Sequence, residues 1–164
     1  MLLTTSRKPS SQTRKFCKNF YHATGFNYIN RGKSSLREIL LKAIELEENY
    51  IAIVNEIKGN PSKITFYSNS GDIKLIILIS ISLTNERLNI NVENLKIKSD
   101  FSKLDILSEI FHFKIINEDV KEDYIHIAPV ENDEDKIAKI TFYDKFGNLS
   151  DFQIYIRKIL DSDA

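Results

Sequence analysis

The chain has 164 residues, 42% of them hydrophobic and 28% charged, and its 23 basic and 23 acidic side chains sum to zero. That size and balance suit one soluble globular domain, or two small halves sharing a core. The single cysteine, Cys17, excludes an internal disulfide framework and a thiolate-rich zinc site, and the apolar run Leu75 to Ile81 is too short to span a bilayer.

In chain order the sequence predicts a strand over Met1–Thr4, a helix over Ser11–Thr24, a strand over Phe26–Ile29 and a helix over Leu36–Glu47. Tyr50–Val54 reads as a strand rich in β-branched residues. After Gly59-Asn60-Pro61 come strands over Lys63–Tyr67 and Ile73–Leu83, joined through the hairpin turn Asn69-Ser70-Gly71-Asp72. The first half is therefore β-α-β-α-β followed by a hairpin.

The second half echoes it. Lys63-Ile64-Thr65-Phe66-Tyr67 with Gly71 recurs as Lys139-Ile140-Thr141-Phe142-Tyr143 with Gly147, and Tyr50-Ile51-Ala52-Ile53 is matched by Tyr124-Ile125-His126-Ile127. Upstream, the helix Leu36–Glu47 pairs with Ser102–Phe111, where Leu104, Leu107, Ile110 and Phe111 stand at helical spacing. The matched order favours a duplicated α/β unit over chance likeness between Ile-rich strands. The expected halves are 1–92, basic, and 93–164, with acidic loops; the second is expected to lack the opening strand and the basic helix.

Zero net charge conceals two poles. Arg7, Lys8, Arg14, Lys15, Lys18, Arg31, Lys33 and Arg37 all precede the first carboxylate, Glu38. Between Glu118 and Asp135 stand eight acids and one cation, Lys121. Such asymmetry points to an anionic partner for the first quarter, nucleic acid above all. On the helix Ser11–Thr24, Phe16, Cys17, Phe20, Ala23 and Thr24 fall on one side and Arg14, Lys15 and Lys18 on the other. Arg14 and Lys18 repel at that spacing, and no carboxylate intervenes to pair them.

Two loops extend the surface. Thr5–Ser10 and Asn30–Ser34 each leave a strand and enter a helix, so parallel neighbouring strands would put both at one sheet edge. Their hydroxyls, cations and backbone N–H groups beside helix N-termini suit phosphate oxygens. Ser35 with Glu38 forms a capping box, and Gly32 permits positive φ or close approach. The RNA-binding candidates are Ser6, Arg7, Lys8, Ser10, Arg14, Lys15, Lys18, Arg31, Gly32, Lys33 and Arg37. Tyr21, Phe26 and Tyr28 lie nearby, but packing explains them better than base stacking.

No catalytic constellation is present. His22, His112 and His126 are far apart, no Gly-x-x-x-x-Gly-Lys-Ser/Thr occurs, and Glu131–Asp135 lacks the spacing of a calcium loop. No metal, cofactor or small-molecule substrate is expected, and Cys17 suits packing rather than nucleophilic attack. Leu2 and Leu3 lead straight into polar and basic residues, so no secretory signal or membrane association is expected.

Leu3-Thr4-Thr5-Ser6-Arg7-Lys8-Pro9-Ser10, Thr13-Arg14 with Phe16, Asn30-Arg31-Gly32-Lys33-Ser34-Ser35-Leu36-Arg37-Glu38, and Glu56-Ile57-Lys58-Gly59-Asn60-Pro61 together resemble the Brix domain, in its short archaeal ribosome-biogenesis form. The resemblance is dense over residues 1–61. It implies a single Brix domain over 1–164, with mixed-sheet α/β (α+β) halves that each resemble the anticodon-binding domain of class IIa aminoacyl-tRNA synthetases. It also implies a non-catalytic ribosome biogenesis factor that binds ribosomal RNA or pre-rRNA and assists its processing and subunit assembly, with assembly factors or ribosomal proteins as further partners. The expected location is the cytoplasm, or the nucleolus in a eukaryote. The alternative is an adaptor docking basic ribosomal or assembly proteins through the acidic segment 118–135.

Overall fold

A computed structural model describes residues 1–160 of the chain. In order come β1 (Leu2–Thr5), α1 (Ser11–Thr24), β2 (Asn27–Tyr28), α2 (Leu36–Glu45), β3 (Tyr50–Ile57), β4 (Asn60–Ser68), β5 (Ile73–Ser82), β6 (Lys96–Ser99), α3 (Ile106–Phe111), β7 (Tyr124–Pro129), β8 (Ala138–Tyr143) and β9 (Leu149–Leu160). The nine strands form one curled mixed sheet in the order β2-β1-β3-β4-β5-β9-β8-β7-β6.

The two ends of that order mirror each other. β1 is parallel to β3, which is followed by antiparallel β4 and β5; β6 is parallel to β7, followed by antiparallel β8 and β9; β5 and β9 join the two sets. Lys63–Tyr67 in β4 and Lys139–Tyr143 in β8 match in register, whereas Tyr50–Ile53 in β3 and Tyr124–Ile127 in β7 fall on corresponding strands one residue out of step: Phe66 pairs with Ala52, and Phe142 with Ile125 rather than His126. Two expectations are corrected here. The second half does have an opening strand, β6, and residue Ile115 bridges it in parallel as β2 flanks β1. Its helix α3 packs on the same face as α1, not on the face of α2, so what the second half lacks is a counterpart of α2.

Alternation assigns the faces. Leu3, Ala52, Val54, Ile64, Phe66, Ile77 and Ile79 point inward from the first half, and Ile97, Ile125, Ile127, Ile140, Phe142, Phe152, Ile154 and Ile156 from the second, into one core capped by α1 and α3. Helix α1 straddles the join: Phe20 is fully buried, with ring centroids 5.9 Å from Phe111, 6.2 Å from Phe142 and 6.1 Å from Phe152. These tilted and edge-on contacts are the arrangement aromatic quadrupoles prefer. On the outer face α2 buries Ile39 and Ala43 against Leu2, Ile51 and Ile53. Cys17 is buried in the inner core, and burial pushes its thiol up to about 12, as packing requires.

Candidate nucleic-acid interface

β1 and β2 are parallel neighbours, so their outgoing loops leave the same sheet edge. The ladder runs on past the strands: Ile29 N–H donates to the Leu3 carbonyl, Ser6 N–H to the Val54 carbonyl, and the Thr4 hydroxyl to the Ile29 carbonyl at 2.8 Å. Arg31 then staples one loop to the other. Its Nε donates to the Ser34 carbonyl at 2.8 Å and an Nη donates to the Thr5 carbonyl at 3.0 Å. Arg7 reaches the same Ser34 oxygen from the first loop at 3.4 Å. Burial lowers the Arg31 pKa, and the adjacent Arg7 charge lowers it further. Two guanidiniums held this close repel, and an anion beside them would relieve that repulsion.

A cleft of about 380 Å³ opens beside the staple, lined by Lys8, Arg14, Tyr28, Arg31, Gly32 and Lys33. Gly32 has φ +54° and nothing within 4 Å of where a Cβ would stand, so its backbone is open to a ligand. Lys8 also adopts a left-handed conformation, φ 54°, where the chain turns toward α1. Tyr28, expected only to pack, lines this cleft while its phenol pKa is raised, chiefly by burial.

Not every candidate is available to a ligand. Ser10 is the N-cap of α1: its hydroxyl accepts from Thr13 N–H and donates to the Gly59 carbonyl at 2.7 Å, and its own N–H donates to Glu56. Glu56 also accepts from the Thr13 hydroxyl, and that bond, followed by the Ser10 N–H, holds its pKa below the usual glutamate range. The N-terminus of α1 is therefore already occupied by the protein's own carboxylate, which corrects the expectation of an open phosphate site there. Glu56 and Gly59 come from the Glu-x-x-Gly-x-Pro segment, whose work is to tie the β3–β4 turn to the β1–α1 loop. At α2 the capping box of Ser35 and Glu38 is formed in both directions.

The helix cations divide. Arg14 faces the loop cleft, whereas Lys15 and Lys18 line a separate groove of about 670 Å³ against Thr84–Leu88, with His22 and Arg87. Asn19, a polar residue the helical pattern gave no role, fixes that groove: it donates to the Thr84 carbonyl at 3.2 Å and accepts from the Thr84 N–H at 3.0 Å. The patch thus has two adjoining lobes along α1, with Arg7, Lys8, Arg14, Arg31 and Lys33 in one and Lys15, Lys18 and Arg87 in the other. Arg37, exposed on α2, lines neither. Among the described residues none of these cations has a carboxylate within salt-bridge distance.

Among the same residues no group of three or more His, Cys, Asp or Glu is placed to hold a metal, and no helix is long and apolar enough to cross a membrane. His126 instead binds Asp100, Nε2 to Oδ2 at 2.6 Å.

No protein-family model matches the sequence. Curated relatives described as probable Brix domain-containing ribosomal biogenesis proteins do: one from Methanothermobacter thermautotrophicus is 46% identical over 82 residues, 50% of each chain, and one from Methanosarcina mazei is 40% identical over 82 residues, 50% of this chain and 49% of that one. These matches take in about half the length of each relative. Among solved structures, a probable ribosomal biogenesis protein from Aeropyrum pernix shares the fold, with a TM-score of 0.69 and 24% identity over 94% of this chain and 93% of that one. Mil, an archaeal Imp4-like protein, matches with a TM-score of 0.84 and 30% identity over 98% of both chains. With 30% identity over nearly the whole of both chains, the chain belongs to the archaeal Imp4-like, Brix-domain family of ribosome biogenesis proteins.

Proposed function

We propose that this protein is a non-catalytic ribosome biogenesis factor that grips ribosomal RNA or pre-rRNA through the two-lobed basic patch and so assists processing and subunit assembly. The observation that carries this reading is the stapled loop pair, where Arg7 and Arg31 converge on one carbonyl oxygen beside Lys8, Arg14 and Lys33. Holding like charges together costs stability unless a polyanion joins them. Within the site, Lys8, Arg14, Lys15, Lys18 and Lys33 contact phosphate; Arg7 and Arg31 share phosphate contact with loop bracing; Ser6, Ser10 and Gly32 shape the backbone; Arg37 adds long-range attraction. The mirrored strand order and the in-register echo of β4 in β8 support an origin by duplication, each half akin to a class IIa synthetase anticodon-binding domain. The cytoplasm, where ribosomes are assembled in cells without a nucleus, is the proposed location. The exposed acids Glu131–Asp135 favour a basic protein partner as a second, compatible contact.

The test is binding of ribosomal RNA transcripts against salt. Lys8→Glu/Arg14→Glu/Lys33→Glu should weaken binding by about a hundredfold or more and flatten the salt slope by roughly 0.7–0.9 per lost phosphate contact. Unchanged affinity and slope in a folded triple variant would refute the reading.

A further inference from the structure

We propose that the outer sheet face of the second half is a separate platform for single-stranded RNA, distinct from the basic loops. In the first half α2 covers this side of the sheet; in the second half the stretch between α3 and β7, where an α2 counterpart would run, forms no helix and pairs only through the Ile115 bridge. The outer residues of β6 to β9 are left without a helical layer, and their identities are not those of an ordinary wet face.

Register defines what stands there. Tyr155 of β9 lies opposite Lys139 of β8, and the ammonium of Lys136 sits 4.2 Å from the centre of the Tyr155 ring. One row along, Thr141 is flanked by His126, and His126 by Lys98 of β6. In the next row the Tyr143 and Tyr124 rings stack, 4.4 Å apart and 4° from parallel, beside Lys96. Three half-buried tyrosine rings and the ammonium groups of Lys96, Lys98, Lys136 and Lys139 thus share this side of the sheet, around the buried Thr141.

The charge selects the occupant. Among the described residues Lys98, Lys136 and Lys139 have no ion-pair partner. Carboxylates stand on one side of the face: Asp100 is engaged by His126, Asp119 lies near Tyr124, and Glu118 and Glu122 share a cleft with Lys96, which leaves Lys98, Lys136 and Lys139 as its free cations among the described residues. A protein partner would call for apolar area, but the rows carry tyrosine, lysine, histidine and threonine. Sheet-borne rings interleaved with cations are what unpaired bases and their phosphates need, one by stacking and the other by charge, and duplex RNA offers no free base faces to such a surface.

The probe is a dodecauridylate carrying 4-thiouridine, bound to the full chain, photocrosslinked and mapped by peptide mass spectrometry. Crosslinks are expected on peptides containing Tyr143 and Tyr155, and they should persist in Lys8→Glu/Arg14→Glu/Lys33→Glu, which separates this platform from the loop reading. Lys98→Glu/Lys139→Glu should weaken oligonucleotide binding about tenfold or more with the melting temperature unchanged, and Tyr155→Ser should weaken it by roughly tenfold. Crosslinks confined to residues 6–37, or no oligonucleotide binding at all, would overturn the proposal without needing any variant. So would a ribosomal protein whose binding those substitutions abolish while oligonucleotide affinity stays constant.

Discussion

Glu56→Ala tests how the β1–α1 loop is held. The carboxylate accepts from the Ser10 N–H at 3.0 Å and from the Thr13 hydroxyl, and both bonds vanish with the side chain. A hydrogen bond to a charged group contributes about 1.5–3 kcal/mol, and because Glu56 is partly exposed solvent screening discounts each bond to about 1 kcal/mol, giving about 2 kcal/mol for the pair. For a chain of this size each kcal/mol moves the melting temperature by about 2–4 °C, so a loss of about 4–8 °C is expected. The pH dependence fixes the cause. The folded-state pKa of Glu56 is depressed, so the unfolded chain binds the proton more readily and the stabilisation is complete above the ordinary glutamate value and lost as pH falls through the folded one. The gap between wild type and Glu56→Ala should hold steady near neutrality and close as pH falls below about 4.3. Glu56→Gln, which keeps an acceptor but not the charge, should lose less. Thermal melts followed by circular dichroism at stepped pH decide it: an unaltered melting temperature, or a gap that widens in acid, would refute the capping role.

Asn19→Ala should cost about 2–4 kcal/mol, because it leaves the buried Thr84 N–H without a partner and frees the 84–88 segment; urea unfolding measures it, and a loss within error would show that water replaces the amide. Cys17, its thiol pushed up to about 12, should resist a soluble thiol reagent at about pH 8 in the native protein and react at once in urea, whereas rapid native labelling would contradict its burial in the core.

The sequence made α1 legible to the residue, Ser11–Thr24, through its one-sided apolar stripe, and the structure adds the Ser10 cap at one end and the left-handed Gly25 at the other. Strand β2 was overextended: Phe26 turns into the core against Phe111 instead of continuing the ladder, leaving only Asn27 and Tyr28 paired. β6 escaped notice since Lys96 and Lys98 face outward and Ile97 alone is buried, too short a pattern to declare a period. The convergence of the two loops followed from parallel pairing and was foreseeable. The Arg31 staple was not, because nothing in Arg31-Gly32-Lys33 says which carbonyls lie within reach. Glu56 stands 46 residues from Ser10 in sequence, and only the β3–β4 turn brings it to the helix end. The division of Arg14 from Lys15 was likewise hidden: the helical angle set both on the polar side, but the loops rise against one flank and residues 84–88 against the other.

A missing element leaves no motif, and that is why the second half was misjudged. The echo of β4 in β8 invites the inference that what surrounds them is also shared, so Ser102–Phe111 was matched to the helix nearest in length and order. Packing reverses this. Leu107, Ile110 and Phe111 share a core with Phe20 and Phe26, so α3 does for β6 and β7 what α1 does for β1 and β3. Once α3 is assigned to the inner face, no helix among the described residues remains in the second half to cover the outer one, and residues there need not be apolar. Tyr124 and His126 occupy the sheet positions where Ile51 and Ile53 in the first half are covered by α2, and Lys98 stands where the first half has Thr4. The difference in composition between the halves follows from one helix present on the first and absent from the second. It leaves the outer sheet face without a helical cover only in the second half.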